Sequence, residues 1–200
     1  MRPANSISPA PFLSLERLLL LTDGVFAITL TLLVLDLKLA PDRVDHLGQA
    51  LAGLLPRLAA YLFAFVTIAN QWILHHRSFR VVQHADNKLV LYSFAYLLFV
   101  TLIPATTAII GGAPNDPVAA ACFSTNTLLL CIVAWAIWSY LAKTKQLLIS
   151  EADPQLLRKI TRVWRYVSLG FAVSIAAGFI SVYIAYSIWL IWPFTARWIK

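Results

Sequence analysis

Residues Glu16 to Pro41 read ERLLLLTDGVFAITLTLLVLDLKLAP, and this stretch decides the fold. From Leu18 to Leu35 it is apolar enough and long enough to cross a bilayer. Thr22 and Asp23 nevertheless sit inside it. A carboxylate within hydrocarbon costs about 2.5–3.5 kcal/mol on insertion scales, so a helix that keeps one is expected to hold it against a donor.

The rest of the chain has the same character. Of 200 residues 60% are hydrophobic and only 12% charged, against about 25% charged in soluble domains. Mean hydropathy is +0.75. Together with several other long apolar runs, this predicts an all-α integral membrane protein in contact with the lipid bilayer. The formal net charge of +7 is read as the Lys/Arg excess of cytoplasmic loops and not as a nucleic-acid surface. Residues 1–13 form a short polar tail without the apolar centre of a cleaved signal peptide. Cys122 and Cys131 lie nine residues apart in one apolar run, which is no metal-ligand spacing.

The spans are expected at about 15–38, from Leu47 to about 84, at 88–110, at 117–142, and within the 30-residue apolar stretch Val167–Ala196. One crossing needs about 20 residues, so 30 is long for one helix and short for two. Charge decides between them. Thirteen of the sixteen Lys/Arg fall in the amino terminus, the connectors after the second and fourth spans, and the carboxyl tail. That pattern places both termini in the cytoplasm of a multi-pass cell-membrane protein. An even count follows, six, with the last stretch turning near Gly178–Tyr183 and its first helix starting near Arg162. Tyr61, Trp72, Trp135, Trp138, Tyr140, Trp164, Trp189, Trp192 and Trp198 are read as an interfacial aromatic belt.

At 3.6 residues per turn, Leu21, Gly24, Ile28, Thr31, Leu32 and Leu35 share one stripe of the first span. Asp23 points about 140° away from Ile28, on the side of Phe26, Leu30 and Leu33. The second span runs the other way and carries NQWILHHRSF, residues 70–79. Depth matching brings Trp72 and His75 near Asp23, as indole and imidazole donors to the carboxylate. The adjacent His75 and His76 point to different faces, which disfavours a metal site with Asp23. Taken alone, the Ile28 stripe fits simple packing in a bundle as well as it fits a pore.

Arg17, Thr22, Asp23 and the following GVFAI and TLLVL segments resemble the first-helix signature of the transmembrane protein 175 family of potassium channels. That signature is Arg, three residues, Phe-Ser-Asp, then Gly-Val-Phe-Ala-Ile and Thr-Leu-Leu-Val-Leu. WILHHRSF, residues 72–79, is similar to the family's second helix. The likeness is dense over about 25 residues and collinear over the rest. It departs at Leu21 and Thr22, where the family has Phe and Ser; Thr22 keeps the hydroxyl and Leu21 lacks the ring. The resemblance implies one six-helix channel unit over residues 1–200, assembled as a homotetramer with the first helix lining the pore. It places the constriction at Ile28, Leu32 and Leu35, with Thr31 adding a hydroxyl ring, and a structural network at Arg17, Thr22, Asp23, Trp72 and His75. It implies no cofactor and no metal, with potassium as the permeant ion.

No TVGYG-like loop is present to replace an ion's hydration shell with carbonyls. Apolar rings that gate by dewetting are the expected alternative, with Asp36, Asp42 and Asp45 concentrating cations at the outer mouth. The rival reading is a secondary transporter, which calls for broken helices at matching places in two halves; no such halves are evident. An enzyme is disfavoured, since neither HExxH nor a nucleophile–base motif occurs.

Overall fold

The computed structural model describes residues 12–38 and 47–191. Helix starts follow from short polar side chains that accept the first free backbone N–H groups. Ser14 caps α1 (Leu15–Leu32), with its Oγ 3.4 Å from Arg17 N. Asp86 caps α4 (Asn87–Thr101), accepting from Leu89 N at 2.8 Å. Asp116 and Asp153 cap α6 (Pro117–Lys143) and α7 (Pro154–Ile180), accepting from Val118 N and Gln155 N at 2.8 Å. In both of these a proline follows the cap, where its missing N–H costs nothing. The first helix of the last apolar stretch therefore begins at Pro154, eight residues before the expected Arg162.

Proline also divides spans that read as continuous. α2 (Leu47–Gly53) gives way to α3 (Leu55–Phe79) at Leu54, just before Pro56. α4 gives way to α5 (Ile103–Gly112) at Leu102, just before Pro104. The ring cannot donate to the preceding turn and clashes with it, so the ladder restarts. The second span ends at Phe79, short of the expected 84. Residues 81–84 instead pair with the connector after α6: Gln83 N and His84 N donate to Leu147 O at 2.8 and 3.1 Å, and Ile149 N donates to Val81 O at 3.0 Å. Val82 and Leu148 form an isolated antiparallel bridge. The last apolar stretch breaks at Ser181, with extended backbone, into α7 and α8 (Val182–Ile191).

Among the described residues, five helical segments are long and apolar enough to cross a membrane: Leu15–Asp36, Leu55–Phe79, Asn87–Gly112, Pro117–Lys143 and Pro154–Ile180. α8 contributes ten described residues beside them. α6 and α7 form the most extensive pair and α8 folds back on both. Their contact holds a buried polar knot. The Ser124 and Ser174 hydroxyls bond at 2.9 Å, and Trp189 Nε1 donates to Ser124 Oγ at 3.1 Å. Phe63, Phe123 and Trp189 stack with centroids 4.6–5.9 Å apart, tying α3 to α6 and α8. Of the residues assigned to an aromatic belt, Trp138, Trp164 and Trp189 are in this core, at 3%, 5% and 3% exposure. Apolar neighbours at helix contacts take up their rings, which outweighs the preference of indole for the interface. Trp192 and Trp198 lie outside the described residues.

Candidate functional site

The first helix has two unlike faces. Leu18, Thr22, Phe26, Thr29 and Leu33 are buried at steps of four, four, three and four, one stripe laid on α3 and α4. Its two threonines are accommodated by bonding back to their own helix: Thr22 Oγ1 donates to Leu18 O at 2.8 Å and Thr29 Oγ1 to Val25 O at 2.7 Å. Phe26 packs beside the rings of His75 and Tyr96, with centroids at 6.2 and 6.3 Å.

The opposite face is open. Ile28, Leu32 and Leu35 are 60%, 44% and 56% exposed in the single chain. Thr31 is exposed as well, and its hydroxyl donates to Ile28 O at 2.7 Å. With its proton committed to the backbone, the Thr31 oxygen presents only lone pairs outward, an acceptor suited to a cation. The helix tightens to a 3₁₀ turn over Leu33–Asp36. Side chains three apart eclipse in that geometry, so Leu35 stands nearly above Leu32, about 6 Å further on.

Asp23, expected on the side of Phe26 and Leu33, stands instead at the edge between the two faces, about 100° round from the buried stripe, and is exposed in the single chain. Trp72 Nε1 donates to its Oδ1 at 2.8 Å. Of the two donors expected from depth, only Trp72 reaches it. His75 is turned into the bundle, stacked on Phe79 at 4.0 Å and on Tyr96 at 5.8 Å. His76 stacks on Trp72 at 5.4 Å and fixes the indole plane. The two histidines thus divide their tasks by face, as their adjacency requires. The Trp72–His76 and His75–Phe79 pairs, each at i,i+4 spacing, are the signal that residue 76, not 75, supports the carboxylate. Arg17 is exposed, and its side chain meets no carboxylate among the described residues. Among the described residues no three His, Cys, Asp or Glu side chains converge as metal ligands.

At the far end of α1, Asp36 Oδ2 and the Arg57 side chain close over Gly111. A Cβ there would stand 3.4 Å from Asp36 Oδ2 and 3.1 Å from Arg57 Cγ. Only a glycine lets α5 come this near the helix that carries the open face. Asp42 and Asp45 lie outside the described residues.

Residues 17–104 match the family model of the endosomal/lysosomal potassium channel TMEM175. A potassium channel of Chamaesiphon minutus is 32% identical over 170 residues, covering 82% of this chain and 84% of that one. The chain belongs to the TMEM175 family. A crystal structure of a lysosomal potassium-selective channel TMEM175 homolog from Chamaesiphon minutus superposes with a TM-score of 0.80 at 28% identity, covering 91% of this chain and 95% of that one. The endosomal/lysosomal proton channel TMEM175 of Gallus gallus is 28% identical over 129 residues, 62% of this chain but 25% of its own length. TMEM175 chains are channel proteins by description, and this one is an integral membrane protein built from apolar helices.

Proposed function

We propose that the chain is one subunit of a homotetrameric, potassium-selective cation channel of the cell membrane, with its pore lined by the open face of α1. The observation that carries this reading is the pairing of an exposed apolar stripe with an exposed carboxylate on the same helix. Lipid would cover the stripe but not Asp23. Other copies of the chain would cover both. Each copy supplies one six-helix unit over residues 1–200, α8 included, with both termini in the cytoplasm. In the assembly, Ile28, Leu32 and Leu35 form stacked apolar rings that exclude water when narrow. Thr31 oxygens then offer a cation partial compensation for lost hydration, and potassium gives up water more readily than sodium. Asp23, held by Trp72, sets the rotation of α1, while Thr22 and His75 seat it on the bundle and Arg17 stands at its cytoplasmic end. No cofactor enters this scheme; the potassium ion is the cargo.

The test is current through purified protein in planar bilayers under opposed potassium and sodium gradients. A reversal potential that tracks potassium supports the reading. One that tracks pH would make the chain a proton pathway like the avian relative's description, and flux only with a coupled ion would make it a transporter. Leu32→Cys should render the current sensitive to silver ions, and Leu30→Cys should not. Equal sensitivity would remove the pore from this face. Single cysteines at Asn115 and at Glu151 should label from outside and inside respectively, and one at Ala196 from inside. Labelling of residue 196 from outside would mean an odd number of crossings.

A further inference from the structure

Where α6 ends and α7 begins, the two helices leave a cavity of about 380 Å³ between them, within the range of about 300–1,000 Å³ that accommodates ligand groups. α6 lines it with Trp135, Ser139 and Lys143, and α7 with Arg158, Arg162 and Arg165. The steps are four and four on α6, four and three on α7, so each set is one stripe facing the other. Four cations therefore share one groove. Among the described residues none of the four makes an ion pair. Arg165 instead lies over the Tyr166 ring at 5.6 Å.

Loop charge that merely sets orientation has no need of this arrangement. It works from any position near the membrane end, whereas here three arginines line a single helical stripe. Like charges brought together without a counter-charge repel, and an anion relieves that cost. Guanidinium groups bind phosphate through paired N–H donors, which a solvated loop lysine does not. The groove also has a second chemistry. Trp135 lies eight residues from Lys143, about 12 Å along the axis, and its ring is 40% exposed. The Ser124–Ser174 bond sets the antiparallel register of the two helices, which brings Trp135 level with Arg162 and Arg165, so cations and an aromatic surface line the same stretch of the groove.

We propose that this groove binds the phosphate-bearing headgroup of an anionic phospholipid, with the phosphate among Arg158, Arg162 and Arg165 and the glycerol end of the lipid against Trp135 beside them. Basic pockets between membrane helices hold such headgroups. The proposal requires only that α6 and α7 stand in a bilayer, and not that the chain conducts.

The experiment measures the melting temperature and retained lipid of the purified full-length chain by native mass spectrometry. The probes are phosphatidylglycerol, phosphatidylcholine and inorganic phosphate. A ligand of the folded state raises the melting temperature. Phosphatidylglycerol should be retained and should raise it; phosphatidylcholine and inorganic phosphate should do neither. Arg158→Gln and Arg162→Gln, tested singly, should each weaken phosphatidylglycerol retention by roughly tenfold. Trp135→Ala should weaken it less. Arg77→Gln combined with Arg80→Gln, which removes charge from the other basic connector, should leave it unchanged. Melting in phosphatidylcholine alone reports whether each variant folds, and should match the parent. Equal loss from the Arg77/Arg80 pair would overturn the site in favour of general charge attraction. Inorganic phosphate competing as well as the lipid would overturn the lipid as its ligand, and unchanged retention in both arginine variants would overturn the groove.

Discussion

α1 and α6 are both apolar enough to cross a membrane, yet α1 exposes a carboxylate along its length while α6 as far as Trp135 exposes nothing more polar than Thr125. α6 turns Ser124, Asn126 and Thr127 inward, where Ser124 meets Ser174 and Trp189, and Asn126 Nδ2 donates to Phe99 O at 3.1 Å. Its exposed side chains from Val118 to Trp135 carry no charge. Half of its apolar window is buried within one chain, against 28% for α1. α1 leaves Asp23 and Thr31 exposed beside Ile28, Leu32 and Leu35. The lesson is that α6 buries more of its apolar surface within the subunit and exposes no charge along the stretch that packs there. α1 buries one face and leaves the other exposed with a carboxylate at its edge, which the proposed assembly would cover.

The sharpest way to break that contrast is to truncate each face of α1. Phe26→Ala, at 1% exposure, should cost about 3–5 kcal/mol, read by denaturant unfolding of the subunit in micelles. Leu32→Ala, on the open face, should leave that unfolding nearly unchanged and alter the current instead. Equal destabilisation would mean that the two faces are not distinct.

Glycines sharpen the comparison next. At Gly111 a Cβ would stand 3.2 Å from Arg57 Cα, a backbone atom that cannot swing away. Gly111→Ala should therefore cost about 1–3 kcal/mol of overpacking in the same assay. Gly24 has nothing within 4 Å in the single chain. Gly24→Ala should stabilise the isolated subunit by about 0.5–1 kcal/mol through helix propensity while lowering the fraction assembled, measured by light scattering. A gain in both quantities would mean that no neighbour approaches α1 at that level.

An effect of similar size, confined to the unfolding of the subunit, is expected in α7. Ser174→Ala removes one buried hydrogen bond to Ser124, about 1 kcal/mol, and should change the unfolding midpoint but not the oligomer. Loss of assembly from this variant would show that α6 and α7 also take part in the contact between copies.

Much of the architecture was legible in the sequence, because length, hydropathy and charge asymmetry are properties of single segments. The break near residue 181 is one example, since 30 apolar residues exceed a single crossing. Depth matching likewise brings Trp72 level with Asp23, where its indole N–H is found. What the sequence did not disclose depends on neighbours. Nothing in the pattern tells that Phe26, Phe79 and Tyr96 together form a socket for the His75 ring. Nor does it tell that Thr22 satisfies its hydroxyl on Leu18 and takes no part in the bond to Asp23. Trp189 reads as an interfacial anchor and is core because Phe63 and Phe123 pack on its ring and Ser124 accepts from its indole N–H. The break at Leu102 was readable, since Pro104 announces it. Hydropathy averaged across the proline conceals it.

The pairing of residues 81–84 with 147–149 acts as a crossbar. Two connectors that share backbone hydrogen bonds cannot slide past one another by a residue without losing them all. The end of α3 and the end of α6 are therefore clamped at a fixed separation, and Lys88, 4.9 Å above the Tyr140 ring, braces the same junction. Turning α3 about its axis, the motion that would draw Trp72 away from Asp23, has to twist the crossbar and carry α6 with it. The opposite ends, where the ladders break near Pro56 and Pro104, have no such backbone tie among the described residues.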